Sequence, residues 1–175
     1  MKVTARSLAS RLDELLDVLD ALWTTNPVEH HGKHWSIPQS WVDLKPVQRP
    51  RPPIYLGAFT PRGLRRIGER ADGWLAVVQT PAGVHHIGSL KRQRAMIDAA
   101  ALAAGRDPAA IATNVRINVE AGSEVDQVAE TIQTLTDTGY SDLFVDLKFV
   151  VSGVDAHLEW VQRLVDQVGP TVRRR

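Results

Sequence analysis

A chain of 175 residues, 43% hydrophobic and 23% charged, has the make-up of a globular protein long enough to bury one core. Its net charge of +1 gives no global field that would select nucleic acid or an anionic membrane surface. There is no cysteine, which removes disulfides, thiolate metal sites and cysteine nucleophiles and fits a cytoplasmic address.

In chain order, the first predicted element is a helix from about Ala5 to Trp23. Leu8, Leu12, Leu15, Leu16, Leu19 and Leu22 recur on one face, and Asn26-Pro27 stops it. Lys2, Arg6, Arg11 and Asp13 interrupt any signal-like apolar core, and no apolar run is long enough to span a bilayer. Val28 to Pro50 is irregular. Val28-Glu29-His30 and Lys33-His34-Trp35 flank Gly32 as a small hairpin, and Pro38, Pro46, Pro50, Pro52 and Pro53 keep the rest extended. A first strand of the regular part covers Ile54–Ala58. Thr60-Pro61 is a helix start, a hydroxyl cap followed by proline; that helix turns Leu64, Ile67 and Ala71 inward and Arg62, Arg65, Arg66 and Arg70 mostly outward. A second strand covers Gly73–Val78. Thr80-Pro81 repeats the start signal, and the next helix is clear from Leu90 and ends at Gly105.

The third strand is Thr113–Glu120, with Val115, Ile117 and Val119 alternating against Asn114, Arg116 and Asn118. Ser123-Glu124-Val125-Asp126 reads as a capping start. Val128, Ile132 and Leu135 form that helix's inner face, and Gly139 ends it. Asp142–Leu147 is the fourth strand, and the last helix runs from about Val154 to Gly169-Pro170. This alternation predicts an α/β fold of parallel strands joined by right-handed crossovers. The predicted layout is a single domain: an amphipathic helix in 1–27, a Pro-rich connection in 28–52, four β/α units in 53–170, and a basic tail in 171–175.

The turn Gly57-Ala58-Phe59-Thr60 joins a strand end to a helix start, where backbone N–H groups and the helix dipole attract anions. It is the candidate cradle for a phosphate of a nucleotide-like cofactor; the plainer reading is a tight, well-capped joint. His30, His31 and His34 have a spacing usable in a zinc hairpin, but no convincing companion ligand accompanies them, so a polar loop is favoured and no metal is expected. His85-His86 falls near a strand end, where it faces a barrel-mouth ligand if it has a role. Asp142 and Asp146 point to one side of the fourth strand but lie most of its length apart, too far for a working acid–base pair. Asp146 or Lys148 reaches the mouth of a barrel singly. The five tryptophans have no basic groove around them and read as core and interface anchors. There is no nucleophile elbow and no Walker-type loop.

Lys45-Pro46-Val47-Gln48, Pro52-Pro53-Ile54-Tyr55-Leu56-Gly57, Leu64-Arg65-Arg66, Ala71-Asp72-Gly73-Trp74 and Ala104-Gly105-Arg106-Asp107-Pro108 together resemble the bacterial luciferase-like family of flavin-dependent oxidoreductases. The most specific pieces are Pro-Pro-Ile…Gly and Asp-Gly-Trp at this separation. The resemblance implies a TIM-type (β/α)8 barrel of about 250 residues, of which this chain matches the last four strands. It implies FMN or coenzyme F420 as cofactor, oxidation, reduction or monooxygenation of small organic substrates, and frequent dimers. It carries Gly57, Ala58, Phe59 and Thr60 to the phosphate side of the cofactor and gives Asp72-Gly73-Trp74 a structural role. Where the family often has a second glycine, this chain has Ala58. The family's first four strands, which supply much of the ring bed and several catalytic positions, have no counterpart here. The expectation is therefore a truncated form with catalytic residues unassigned and cofactor affinity weak or lost, completed by a second copy or by a missing barrel half. The alternative is a catalytically inactive α/β fragment acting only as a binding or assembly partner.

Overall fold

The computed structural model describes residues 5–80 and 84–172, which fall into two compact units divided after Pro53. In the first, α1 (Ala5–Thr24) precedes an antiparallel hairpin of β1 (Val28–His31) and β2 (Ser36–Ser40). The expected hairpin is there, but Lys33-His34-Trp35 forms its turn and not its second strand. The cause lies on α1. The Glu14 carboxylate accepts the N–H groups of His34 at 3.0 Å and Trp35 at 2.8 Å, which folds those residues over the helix. A side chain on Gly32 would overlap that carboxylate and the His30 ring, so it would displace Glu14 or His30 from this turn. Burial pushes the Glu14 carboxyl up, but the His34 and Trp35 N–H groups outweigh it and hold it below its usual value. Lys45 Nζ donates to the carbonyls of Leu22 and Thr25, both at 2.7 Å, satisfying the open end of α1.

The second unit is a four-stranded sheet of β3 (Tyr55–Leu56), β4 (Gly73–Thr80), β5 (Ala112–Val119) and β6 (Leu143–Asp146), in that order and all parallel. The connecting helices are α2 (Pro61–Arg70), α3 (Val84–Ala103) and α4 (Val125–Asp137), and α5 (Val154–Val172) follows β6. Strand β3 is shorter than the Ile54–Ala58 expected. The Ile54 N–H is diverted to the Asp72 carboxylate at 2.7 Å, and the Ile54 carbonyl accepts the N–H groups of Asp72 and Gly73 at 2.8 and 3.2 Å. Beyond Leu56 the chain turns toward α2. Asp72 thus fixes where β3 meets β4. Asp72→Ala should cost about 1.5–3 kcal/mol, the range for a hydrogen bond to a charged group. Urea unfolding should show a lower midpoint at unchanged slope.

Thr60 caps α2, its Oγ1 accepting the Gly63 N–H at 3.3 Å. Leu64, Ile67 and Ala71 are fully buried. Arg66, expected outward, is buried too: α2 is covered both by the sheet and by α3, so its inner arc is wider than the Leu64–Ile67 stripe. The Thr80-Pro81 start signal runs into residues outside those described, and α3 is already helical at Val84. The turn after α3 uses Gly105 at φ +70°. It also sends Arg106 back to α2, where its guanidinium donates to the carbonyls of Gly68 at 2.6 Å and Ala71 at 2.7 Å. The capping start of α4 falls one residue later than Ser123, with the Glu124 N–H donating to Gln127 Oε1 at 3.0 Å. Gly169-Pro170 does not end α5, which continues to Val172, two residues into the stretch read as a tail. Proline's fixed φ is itself helical, and near a helix end only one hydrogen bond is forfeited.

One core lies between α2, α3, α4 and one face of the sheet: Leu64, Ile67, Ile97 and Leu135 pack against Trp74, Ala76, Val78, Val115 and Ile117. A second cluster joins Val119, Val125 and Val128 to Trp160 and Leu164 of α5. The opposite sheet face is open. Along β4, buried Trp74, Ala76 and Val78 alternate with Leu75, Val77 and Gln79, which are not buried. Parallel sheets are ordinarily covered on both faces; this one is covered on one. Among the described residues no helix is long and apolar enough to cross a membrane.

Candidate functional site

The strand register sets the open face out in rows. Val77, Arg116 and Phe144 are neighbours across β4, β5 and β6, and one step nearer the carboxyl ends stand Gln79, Asn118 and Asp146. Below them Asn114 Nδ2 donates to Asp142 Oδ1 at 2.8 Å. Asp142 and Asp146 do share a face, about 13 Å apart along the strand, and each is matched to a different residue of β5 rather than to the other.

Arg116 Nη2 is hydrogen-bonded to Asp146 Oδ2 in an ion pair, and Asp146 Oδ1 accepts the Lys148 N–H at 3.0 Å. The Lys148 N–H and the Arg116 guanidinium together outweigh burial and lower the Asp146 pKa. A carboxyl lowered in the folded state stabilises above its unfolded pKa, and that contribution is lost as pH falls through the lowered value. Arg116 Nε and Asn118 Oδ1 are enclosed with no partner. An enclosed unpaired group costs about 1–3 kcal/mol, which cores avoid and functional sites accept.

The turn Gly57–Thr60 stands at the same carboxyl end, beyond β3 at the other edge of the sheet. Ala58 packs against the core, whereas Phe59 is exposed. A Cβ on Gly57 would meet only the Leu75 carbonyl at 3.6 Å and Leu75 Cβ at 3.9 Å, ordinary contacts, so the backbone there is open to approach. The N-cap, the bare Gly57 backbone and the apolar Leu75, Val77 and Phe144 fit a phosphate-bearing ring compound, though they line only part of a site.

The other candidates are dispersed. His30 Nε2 lies 3.3 Å from Glu14 Oε1, His31 Nε2 lies 2.9 Å from Glu29 Oε1, and His34 Nε2 lies 2.8 Å from Ser10 Oγ. Among the described residues no group of three or more His, Asp or Glu side chains can hold a metal ion. His86 is exposed, and the His85 side chain lies outside what is described. Lys148 Nζ sits 5.2 Å from the centre of the Phe149 ring. A cavity of about 580 Å³ opens between α4, α5 and the helix-facing Leu143 and Val145 of β6, on the other side of the sheet from the polar rows.

Gln79, Arg116 and Asn118 were not singled out from the sequence. The signal was present: Asn114, Arg116 and Asn118 alternate in a strand that belongs to a β/α unit, where both faces are ordinarily apolar.

A family model described as luciferase-like monooxygenase matches residues 4–161. The chain is 30% identical over 128 residues to the phthiodiolone/phenolphthiodiolone dimycocerosates ketoreductase of Mycobacterium kansasii, covering 72% of this chain and 34% of that protein. Among solved structures it is similar to monooxygenase RslO1 from Streptomyces bottropensis, with a TM-score of 0.71 at 14% identity over 97% of this chain and 63% of that one. It is also similar to an F420-dependent secondary alcohol dehydrogenase in complex with an F420-acetone adduct, with a TM-score of 0.60 at 16% identity over 95% of this chain and 56% of that one. The fold is thus that of part of a luciferase-like barrel, and the chain spans about a third of the length of the ketoreductases it matches, 32–34%.

Proposed function

The chain belongs to the luciferase-like monooxygenase family, and from that premise we propose that it takes part in a flavin- or deazaflavin-dependent oxidation or reduction of a small organic substrate. The observation that carries this reading is the polar row at the carboxyl edge of a parallel sheet, on the face its helices leave bare. Parallel α/β folds bind their ligands at that end. Similarity to an F420-dependent alcohol dehydrogenase supports a deazaflavin, and the family's motifs support FMN equally.

Gly57, Ala58, Phe59 and Thr60 are the proposed phosphate cradle, with N–H groups at the start of α2 as donors. Leu75, Val77 and Phe144 offer an apolar bed on the open face. When bound, such a cofactor supplies the electron-transfer chemistry; the chain's own residues bind it, orient it and keep water from its ring. The half-exposed Tyr55, Leu75 and Phe144 belong to the face that a second copy, or the other half of a barrel, would close.

The test is quenching of flavin fluorescence. FMN should bind more tightly than riboflavin, and both weakly, because the phosphate meets its cradle while the ring meets half a bed. Gly57→Val should remove that preference and leave the fold intact, since position 57 is uncrowded. Thr60→Ala should weaken FMN binding and cost about 1 kcal/mol of stability as a lost cap. Equal binding of the two ligands, or FMN binding indifferent to Gly57→Val, makes this turn a structural joint only.

A further inference from the structure

The geometry points to Arg116 as the residue that selects a small carboxylate with an apolar or aromatic body, and to Asp146 as its positioning partner. This rests on the reading above, that the carboxyl end of the open face is the substrate side of the site. A guanidinium has five N–H donors in a planar fork. Here one arm reaches Asp146 Oδ2 and Nε is enclosed. Among the described residues nothing is hydrogen-bonded to the Nη1 arm, and the side chain is 43% exposed. An outward arm of that kind gives a charge-assisted hydrogen bond to one oxygen of a carboxylate.

The surroundings narrow the class. Arg116 stands in its row between Val77 and Phe144, and Phe144 is 47% exposed. A ligand that reaches the arginine therefore lays its body on apolar side chains. Asp146 offsets one positive charge, leaving Arg116, Asp146 and the adjacent Lys148 with a sum of +1, which suits a monoanion better than a phosphate dianion. Asp146 is itself tied by the Lys148 N–H, so it anchors one arm of the guanidinium before any ligand arrives. Pre-fixing the fork reduces the ordering that binding requires.

The experiment titrates the 175-residue chain with benzoate, benzamide and phenyl phosphate, which share a ring, by ligand-observed NMR at millimolar concentration. Benzoate should bind roughly tenfold or more tightly than either of the others. Arg116→Gln should abolish that preference. Arg116→Lys, which keeps the charge and loses the fork, should weaken benzoate several-fold; it also serves if the glutamine variant does not fold, as judged by circular dichroism. Asp146→Asn separates positioning from simple electrostatics. It raises the local positive charge, so a bare field effect tightens benzoate, whereas loss of positioning weakens it.

Benzoate binding no tighter than benzamide, or a preference that survives both Arg116 variants, overturns the assignment. Preference for phenyl phosphate overturns the carboxylate class. Tighter benzoate binding in Asp146→Asn overturns the positioning role. FMN binding is read separately: a chain that ignores FMN yet prefers benzoate loses the cofactor reading and keeps this one.

Discussion

Trp74→Ala should unfold the Ile54–Arg175 unit under conditions where the parent chain is folded. The Trp74 ring is fully buried at the start of the helix-facing side of β4, in one cluster with Leu64, Ile67, Ile97 and Ile117. Truncating a buried tryptophan costs about 3–5 kcal/mol, the lost transfer energy plus the cavity left behind. A domain has about 5–15 kcal/mol in all, so one change consumes a large share. Trp74→Phe should behave differently. It keeps most of the apolar volume and removes Nε1, an enclosed donor with no partner. Urea unfolding followed by circular dichroism should place the phenylalanine variant close to the parent and the alanine variant far below it. An alanine midpoint close to that of the parent would mean that the ring's bulk does not hold the layer together.

Gly68→Val should be comparably damaging for the opposite reason, an excess of atoms. A Cβ at position 68 would overlap the Ile97 carbonyl and lie 2.7 Å from Ala100 Cβ and 2.9 Å from Ala101 N. Two of these neighbours are backbone of α3, so no side-chain rotation relieves them. Overpacking ordinarily costs about 1–3 kcal/mol, and parting α2 from α3 puts this case at about 3 kcal/mol or above. It would also pull the Gly68 carbonyl away from Arg106. A thermal melt should fall by roughly ten degrees, since 1 kcal/mol moves Tm by about 4 °C in a domain of this size. Gly57→Val is the matched control: the same substitution at an uncrowded glycine should leave the melt nearly unchanged.

What was legible in the sequence was what local chemistry decides. Thr60-Pro61 starts α2 because a hydroxyl cap and a proline suffice for that with little help from the rest of the chain. The order of four parallel strands follows from strand–helix alternation and the handedness of crossovers. The departures come from partners distant in sequence. Ile54 leaves the ladder because Asp72, 18 positions on, takes its N–H. The turn at Lys33–Trp35 is set by Glu14, 20 or more positions earlier.

Arg106 stood out only as part of a family-like motif, and Arg94 not at all. Arg106 donates to the last carbonyls of α2, and Arg94 donates to the carbonyls of Pro108 and Ile111, both at 2.7 Å. Nothing local to an arginine says which carbonyl it will meet. The polar residues of β5 were visible as alternation and no role was given to them. Only the shared register of β5 and β6 shows that Arg116 and Asp146 converge.

The sheet is laid down in the order in which the chain is written, β3-β4-β5-β6. Each strand finds its neighbour one helix away, so no ladder waits for a segment from the far end. Loop-closure entropy is then small at every step. A chain of this kind assembles by accretion as it leaves the ribosome: β3, α2 and β4 make a first platform, and each later unit docks onto an edge already formed. At every stage two edges stay unpaired, β3 and the newest strand, so the finished layer can be extended at β3 as well as at β6.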